Sequence, residues 1–104
     1  MSWVYLACAG ILEIVWAYFL KQSQGFTRLI PSFVTLLAMS GSFWLLALAM
    51  RTLPLGTAYT IWTGIGAVGA FLVGIFFMAE PLSTLRVMAA VFIVLGLLLM
   101  KISS

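Results

Sequence analysis

The stretch Gly10–Phe19, GILEIVWAYF, sets one carboxylate in the middle of an otherwise apolar run. No basic residue lies within seven positions of Glu13 on either side. In a soluble helix such a run marks a buried face. The surrounding chain shows that the solvent here is lipid. From Trp3 to Leu20 there is no other charge until Lys21 closes the segment. A bilayer core about 30 Å thick needs about 20 predominantly apolar residues in a helix.

Three more segments read the same way, each bounded by the few charges. The second runs from about 29 to 50 and stops at Arg51. The third runs from about 55 to 79 and ends at Glu80-Pro81, and the fourth spans about 85–102. The last has a short uninterrupted apolar part, lengthened by Arg86 and Lys101 snorkelling to the interfaces. Pro31, Pro54 and Pro81 fall near the starts of the following helices, where a missing N–H costs nothing. The expected fold is all-α: one four-helix transmembrane unit over 1–104, with helices at about 3–20, 29–50, 55–79 and 85–102.

Composition agrees. Of 104 residues, 65% are hydrophobic and 7% charged, with a mean hydropathy of +1.28. Soluble domains carry roughly 25% charged residues. The net charge of +3 comes from five scattered cations, which is not the clustered footprint of a nucleic-acid binder. With no histidine and no ligand cluster, a metal site is excluded as a reading, and no cofactor motif appears. No nucleophile–base pair argues for an enzyme. Cys8 is alone and forms no intrachain disulfide. The first segment lacks a basic n-region and carries an acid where an h-region would be, so it reads as a retained span.

Four spans put both termini on one side, with Arg51 and Lys101. Lys21, Arg28 and Arg86 lie on the other. Two cations against three give the positive-inside rule little to act on. The charges leave two readings open: insertion in both orientations, or a single orientation set by one dominant loop.

Any function must sit within the bilayer, because the loops are too small to hold a soluble site. An ionised carboxylate at mid-span costs several kcal/mol, and such residues usually face a cavity and mark an ion or proton path. The bland alternative is a protonated or hydrogen-bonded structural Glu. Around Glu13, Ala9, Gly10, Trp16 and Ala17 share a helical face. Gly10 permits close approach, and Trp16 offers a π-face for a cation and an N–H donor. In the third segment Tyr59 and Trp62 share a face with Gly66, although aromatics near an interface also serve as anchors. Ser40 and Ser42 bracket Gly41; either hydroxyl can bond a neighbouring carboxylate or its own helix. In the fourth segment, Ala89, Ile93 and Gly96 lie on a small-residue stripe suited to association with another helix. Four helices hardly enclose a hydrated cavity alone; a dimer supplies one, with two copies of Glu13.

Taken together, "AGILEIVWA", "LPLGTAYTIWTGIGAVGA", the length and the four spans resemble the small multidrug resistance transporters over essentially the whole chain. Trp16 one turn after Glu13, Ser42, the "WTGIGAVGA" run and Lys101 are most similar to the guanidinium exporter subtype. The resemblance implies an antiparallel, dual-topology homodimer in the bacterial inner membrane that exports guanidinium or related small organic cations in exchange for protons. It implies Glu13 as the shared proton and substrate site, Trp16 and Ser42 orienting its carboxylate, Tyr59 lining the site and helping switch access, and Trp62 and Gly10 shaping the pocket. A broad quaternary ammonium exporter of the same family is the alternative, and a cation channel a more distant one.

Overall fold

The computed structural model describes residues 1–103. Four helices follow in order: α1 Ser2–Gln22, α2 Leu29–Ala49, α3 Leu55–Met78 and α4 Thr84–Ile102. Each is long and apolar enough to cross a membrane, and no strand occurs among the described residues. At 1.5 Å per residue, the shortest, with 19 residues, reaches close to the roughly 30 Å of a hydrocarbon core.

The turns are short and explicitly hydrogen-bonded. After α1 the chain reverses through Gln24, Gly25 and Phe26, all at positive φ. Buried Ser23 holds this reversal: its hydroxyl donates to the Leu20 carbonyl at 2.6 Å and accepts the Phe26 N–H at 3.1 Å. Pro54 caps α3 at its N-terminus, where its absent N–H leaves no bond unmade. Ala79 ends α3 in the left-handed region, and the Glu80 N–H closes onto the Gly74 carbonyl at 3.0 Å. Ser83 caps α4 by accepting the Arg86 N–H. Arg86 donates to the Pro81 carbonyl at 2.6 Å and pairs with Glu80 at 3.2 Å, both half-exposed.

Packing is uneven. α1 lies against both α2 and α3, whereas α4 packs on α3 and buries no residue fully. The whole measures 40 × 34 × 16 Å. Large apolar side chains such as Leu29, Phe76, Leu85 and Leu99 stand exposed on every helix-bearing face, as lipid contact requires. The buried apolar core is small: Leu6, Ala9, Leu46, Ala49, Ala58, Ile61 and Trp62, at the junction of α1, α2 and α3.

Glycines set how closely α1 approaches α3. A Cβ at Gly10 would lie 2.6 Å from Cγ2 and 2.8 Å from Cβ of Ile65. One at Gly69 would overlap the Ile14 side chain, and one at Gly66 would overlap the carboxylate of Glu13. Backbones this close gain dispersion contacts that lipid tails cannot match. The face that carries Glu13 is therefore the face α1 turns towards α3.

Candidate functional site

Glu13 sits at mid-helix in α1, with its side chain laid against the Gly66 backbone of α3. Its Oε1 is shielded from solvent and has no hydrogen-bond partner among the described residues. One turn along, the Trp16 indole N–H is buried and equally unpartnered. A strong acceptor and a strong donor thus stand unsatisfied on the same helix face. Buried polar atoms are almost always hydrogen-bonded, so such exceptions point to a missing ligand, water or neighbour.

Ser42 and Trp62 complete the α1–α2–α3 junction. The fully buried Ser42 hydroxyl donates to the Ala9 carbonyl at 2.7 Å and accepts the Trp62 indole N–H at 3.0 Å. A serine has one proton to give. It goes to the backbone of α1 rather than to the Glu13 carboxylate, and the Trp16 N–H is not on the carboxylate either. The structure therefore joins neither of the two groups expected to orient Glu13 directly to it. Ser42 instead acts on the turn of α1 that leads into Glu13, since the Ala9 carbonyl is the one the helical ladder also offers to the Glu13 N–H.

A row of rings runs beside these bonds. Trp16 meets Phe43 edge-on at 6.3 Å between centroids, Phe43 meets Trp62 at 5.6 Å, and Trp62 meets Tyr59 at 5.7 Å. All of these are in the range where offset or edge-to-face pairs are favourable. Trp62 is buried and Tyr59 is half-exposed. Gly10 lies one turn before Glu13, closing the α1–α3 seam against Ile65. Five of the six expected site residues thus converge around α1, and Tyr59 extends the row outward through Trp62. Phe43 was not anticipated. A phenylalanine in the middle of a span looks like any lipid-facing one, and only its adjacency to Ser42 hinted at a place in the site.

Truncating Ser42 tests this junction. Ser42→Ala leaves both the Trp62 N–H and the second bond to Ala9 without a partner. Interhelical hydrogen bonds in membranes contribute roughly 0.6–1.7 kcal/mol. We expect a lowered unfolding midpoint in detergent, while Ser40→Ala, whose hydroxyl bonds back to Leu36 at 2.8 Å, shifts nothing. Equal midpoints for the two variants would contradict the assigned bonds.

The helix 4 stripe is exposed and borders the grooves between α4 and α3, where Ala89 and Ile93 stand beside Ala67. Ile93 keeps 38% of its surface exposed, and nothing lies within 4 Å of a Cβ placed at Gly96. No group of metal ligands occurs among the described residues.

Four apolar spans around one unsatisfied membrane carboxylate define a membrane transport protein. Comparison with known proteins makes this specific. The family model described as "Small Multidrug Resistance protein" matches residues 1–95. A guanidinium exporter of Citrobacter freundii is 52% identical over 104 residues, covering all of this chain and 99% of the relative. One from Escherichia coli (strain K12) is 51% identical with the same coverage. One from Yersinia pseudotuberculosis serotype I (strain IP32953) is 49% identical over the full length of both chains.

The chain belongs to the small multidrug resistance family. It is a multi-pass transporter of the bacterial inner membrane.

Proposed function

We propose that this chain exports guanidinium in exchange for protons, with Glu13 binding either but not both, in a site that two oppositely inserted copies build together. The observation that carries the reading is the buried, unpartnered carboxylate oxygen of Glu13, the one acid within a span. Its relatives named as guanidinium exporters supply the substrate.

The chemistry fits. Guanidinium is a planar cation with in-plane N–H donors and no acceptor, so it matches a carboxylate bidentately. Its face stacks on an indole, and Trp16 lies one helical turn from Glu13. The unpartnered Trp16 N–H would fix the plane of the carboxylate by donating to it. A neutral Glu13 offers the cation no charge, and a cation on Glu13 displaces the proton. Competition for one group, with access alternating between sides, gives antiport. Two identical chains inserted oppositely reproduce the inverted repeats of larger transporters, with the acid near the midplane. The exposed stripe around Ala89, Ile93 and Gly96 is where the copies meet in this reading.

The test is a proteoliposome assay with an internal proton-sensitive dye. An imposed guanidinium gradient should move protons in the opposite direction. Preference for a large aromatic cation over guanidinium would favour the broad multidrug reading. Flux that follows the membrane potential without proton movement would mean a channel.

Orientation has its own test. A cysteine placed at the C-terminus of a Cys8→Ser background should react with an impermeant maleimide from both faces of cells in comparable amounts. Labelling from one face only would rule out the dual-topology pair.

A further inference from the structure

We propose that the cleft between the start of α1 and the end of α4 binds an anionic phospholipid, with an acyl chain in the cleft and the phosphate on Lys101. α4 leans on α3, with Leu97 seated over Gly64, and does not close against α1. The gap that remains is floored by α3 through Ile65 and walled by Leu6 and Ala7 on one side and Leu97 on the other. It measures about 220 Å³. At roughly 30 Å³ per water-sized group, it takes an alkyl segment of about seven carbons.

Its direction suits a lipid tail. Trp3 and Lys101 stand at one end, at the helix termini where the interface lies. Ala7 is one turn further in, and Ile65 lies beside Gly10, deeper still. An acyl chain entering between Trp3 and Lys101 would run towards the bilayer centre as its neighbours do.

The rim selects the headgroup. The Lys101 ammonium lies 4.8 Å from the centroid of the Trp3 ring. No carboxylate pairs with it among the described residues. Of the two acidic side chains, Glu13 sits at mid-α1, and Glu80 is bound to Arg86 at the opposite end of α4. A cation held by an indole face, beside an apolar slot and with no side-chain carboxylate on it among the described residues, is complementary to a phosphate at the interface. A zwitterionic lipid brings its own cation and gains less.

The experiment is native mass spectrometry of the full chain, released from detergent after equilibration with phosphatidylglycerol and phosphatidylcholine of matched acyl chains. Phosphatidylglycerol adducts should exceed phosphatidylcholine adducts at least five-fold. Lys101→Gln should bring the ratio near one, and Lys101→Arg should keep it. Ala7→Phe, which fills the slot, should remove both adducts with the oligomer mass unchanged; it carries the test if Lys101→Gln fails to assemble. Glycerol 3-phosphate in excess should not displace the lipid, since it has no tail for the cleft. An unchanged lipid ratio in Lys101→Gln, or full adducts in Ala7→Phe, would overturn the proposal. So would displacement by glycerol 3-phosphate, or loss of the oligomer in both variants, which would make the cleft a contact between copies.

Discussion

Glu13→Gln should abolish proton movement driven by guanidinium in proteoliposomes. The substitution keeps shape and volume and removes the charge and the titrating proton together. Hydrogen bonds to charged groups contribute about 1.5–3 kcal/mol each, and a bidentate guanidinium–carboxylate pair has two. Losing that pair weakens binding by at least about 100-fold. Whatever binding remains cannot be coupled, because a carboxamide does not titrate and has no proton to exchange for the cation. The same logic fixes the pH dependence. Protonation removes the counter-ion, so guanidinium affinity of the unaltered protein should fall as pH falls, and that of the Gln variant should stay flat. Glu13→Asp should transport more slowly but remain coupled. Coupled flux in the Gln variant would end the shared-site account.

Gly66→Ala is expected to cost transport while leaving the fold in place. A Cβ at this position would lie 2.7 Å from Cγ of Glu13 and closer still to its carboxyl group. The clash is with the far end of a flexible side chain, so the carboxylate gives way and the α1–α3 seam holds. Alanine is moreover the better helix former. The displaced carboxylate meets guanidinium out of position, and we expect apparent affinity to fall by at least about ten-fold, the equivalent of about 1.4 kcal/mol. Gly10→Ala makes the contrast. There the added Cβ meets the Cβ of Ile65 at 2.8 Å, an atom that cannot swing aside, and the helices must part. Overpacking of that kind costs about 1–3 kcal/mol and should lower the unfolding midpoint. If Gly66→Ala transports normally, or unfolds as early as Gly10→Ala, the assignment of Gly66 to the acid's resting place is wrong.

The four spans were legible because each stops at a charge or a proline, and those breaks depend on no partner. Glu13 was legible for the same reason: its cost in lipid is a property of the residue and its depth. Partners were another matter. Ser40 and Ser42 look alike in sequence, and each hydroxyl has an acceptor four residues back in its own helix. Ser40 takes it, bonding Leu36, whereas Ser42 crosses to Ala9 of α1. Only the rotation of α2 about its axis separates the two, and local pattern does not encode that rotation when apolar residues surround the helix. The aromatic row was half-visible on the same ground. Tyr59 and Trp62 share a helical face by spacing, but Phe43 joins them only because α2 and α3 meet at that height. The exposed stripe of α4 carries no such signal at all, since small residues suit a neighbour and tolerate lipid alike.

The unpartnered Oε1 of Glu13 has a thermodynamic consequence. Guanidinium seated on that oxygen would still have N–H donors to satisfy, and a carboxylate satisfies at most two of them. If a second copy supplies the missing partners, loading the site and holding the pair together are one equilibrium seen from two ends. Ligand then opposes dissociation by mass action, and spreading the protein thinly through lipid loosens its grip on the cargo.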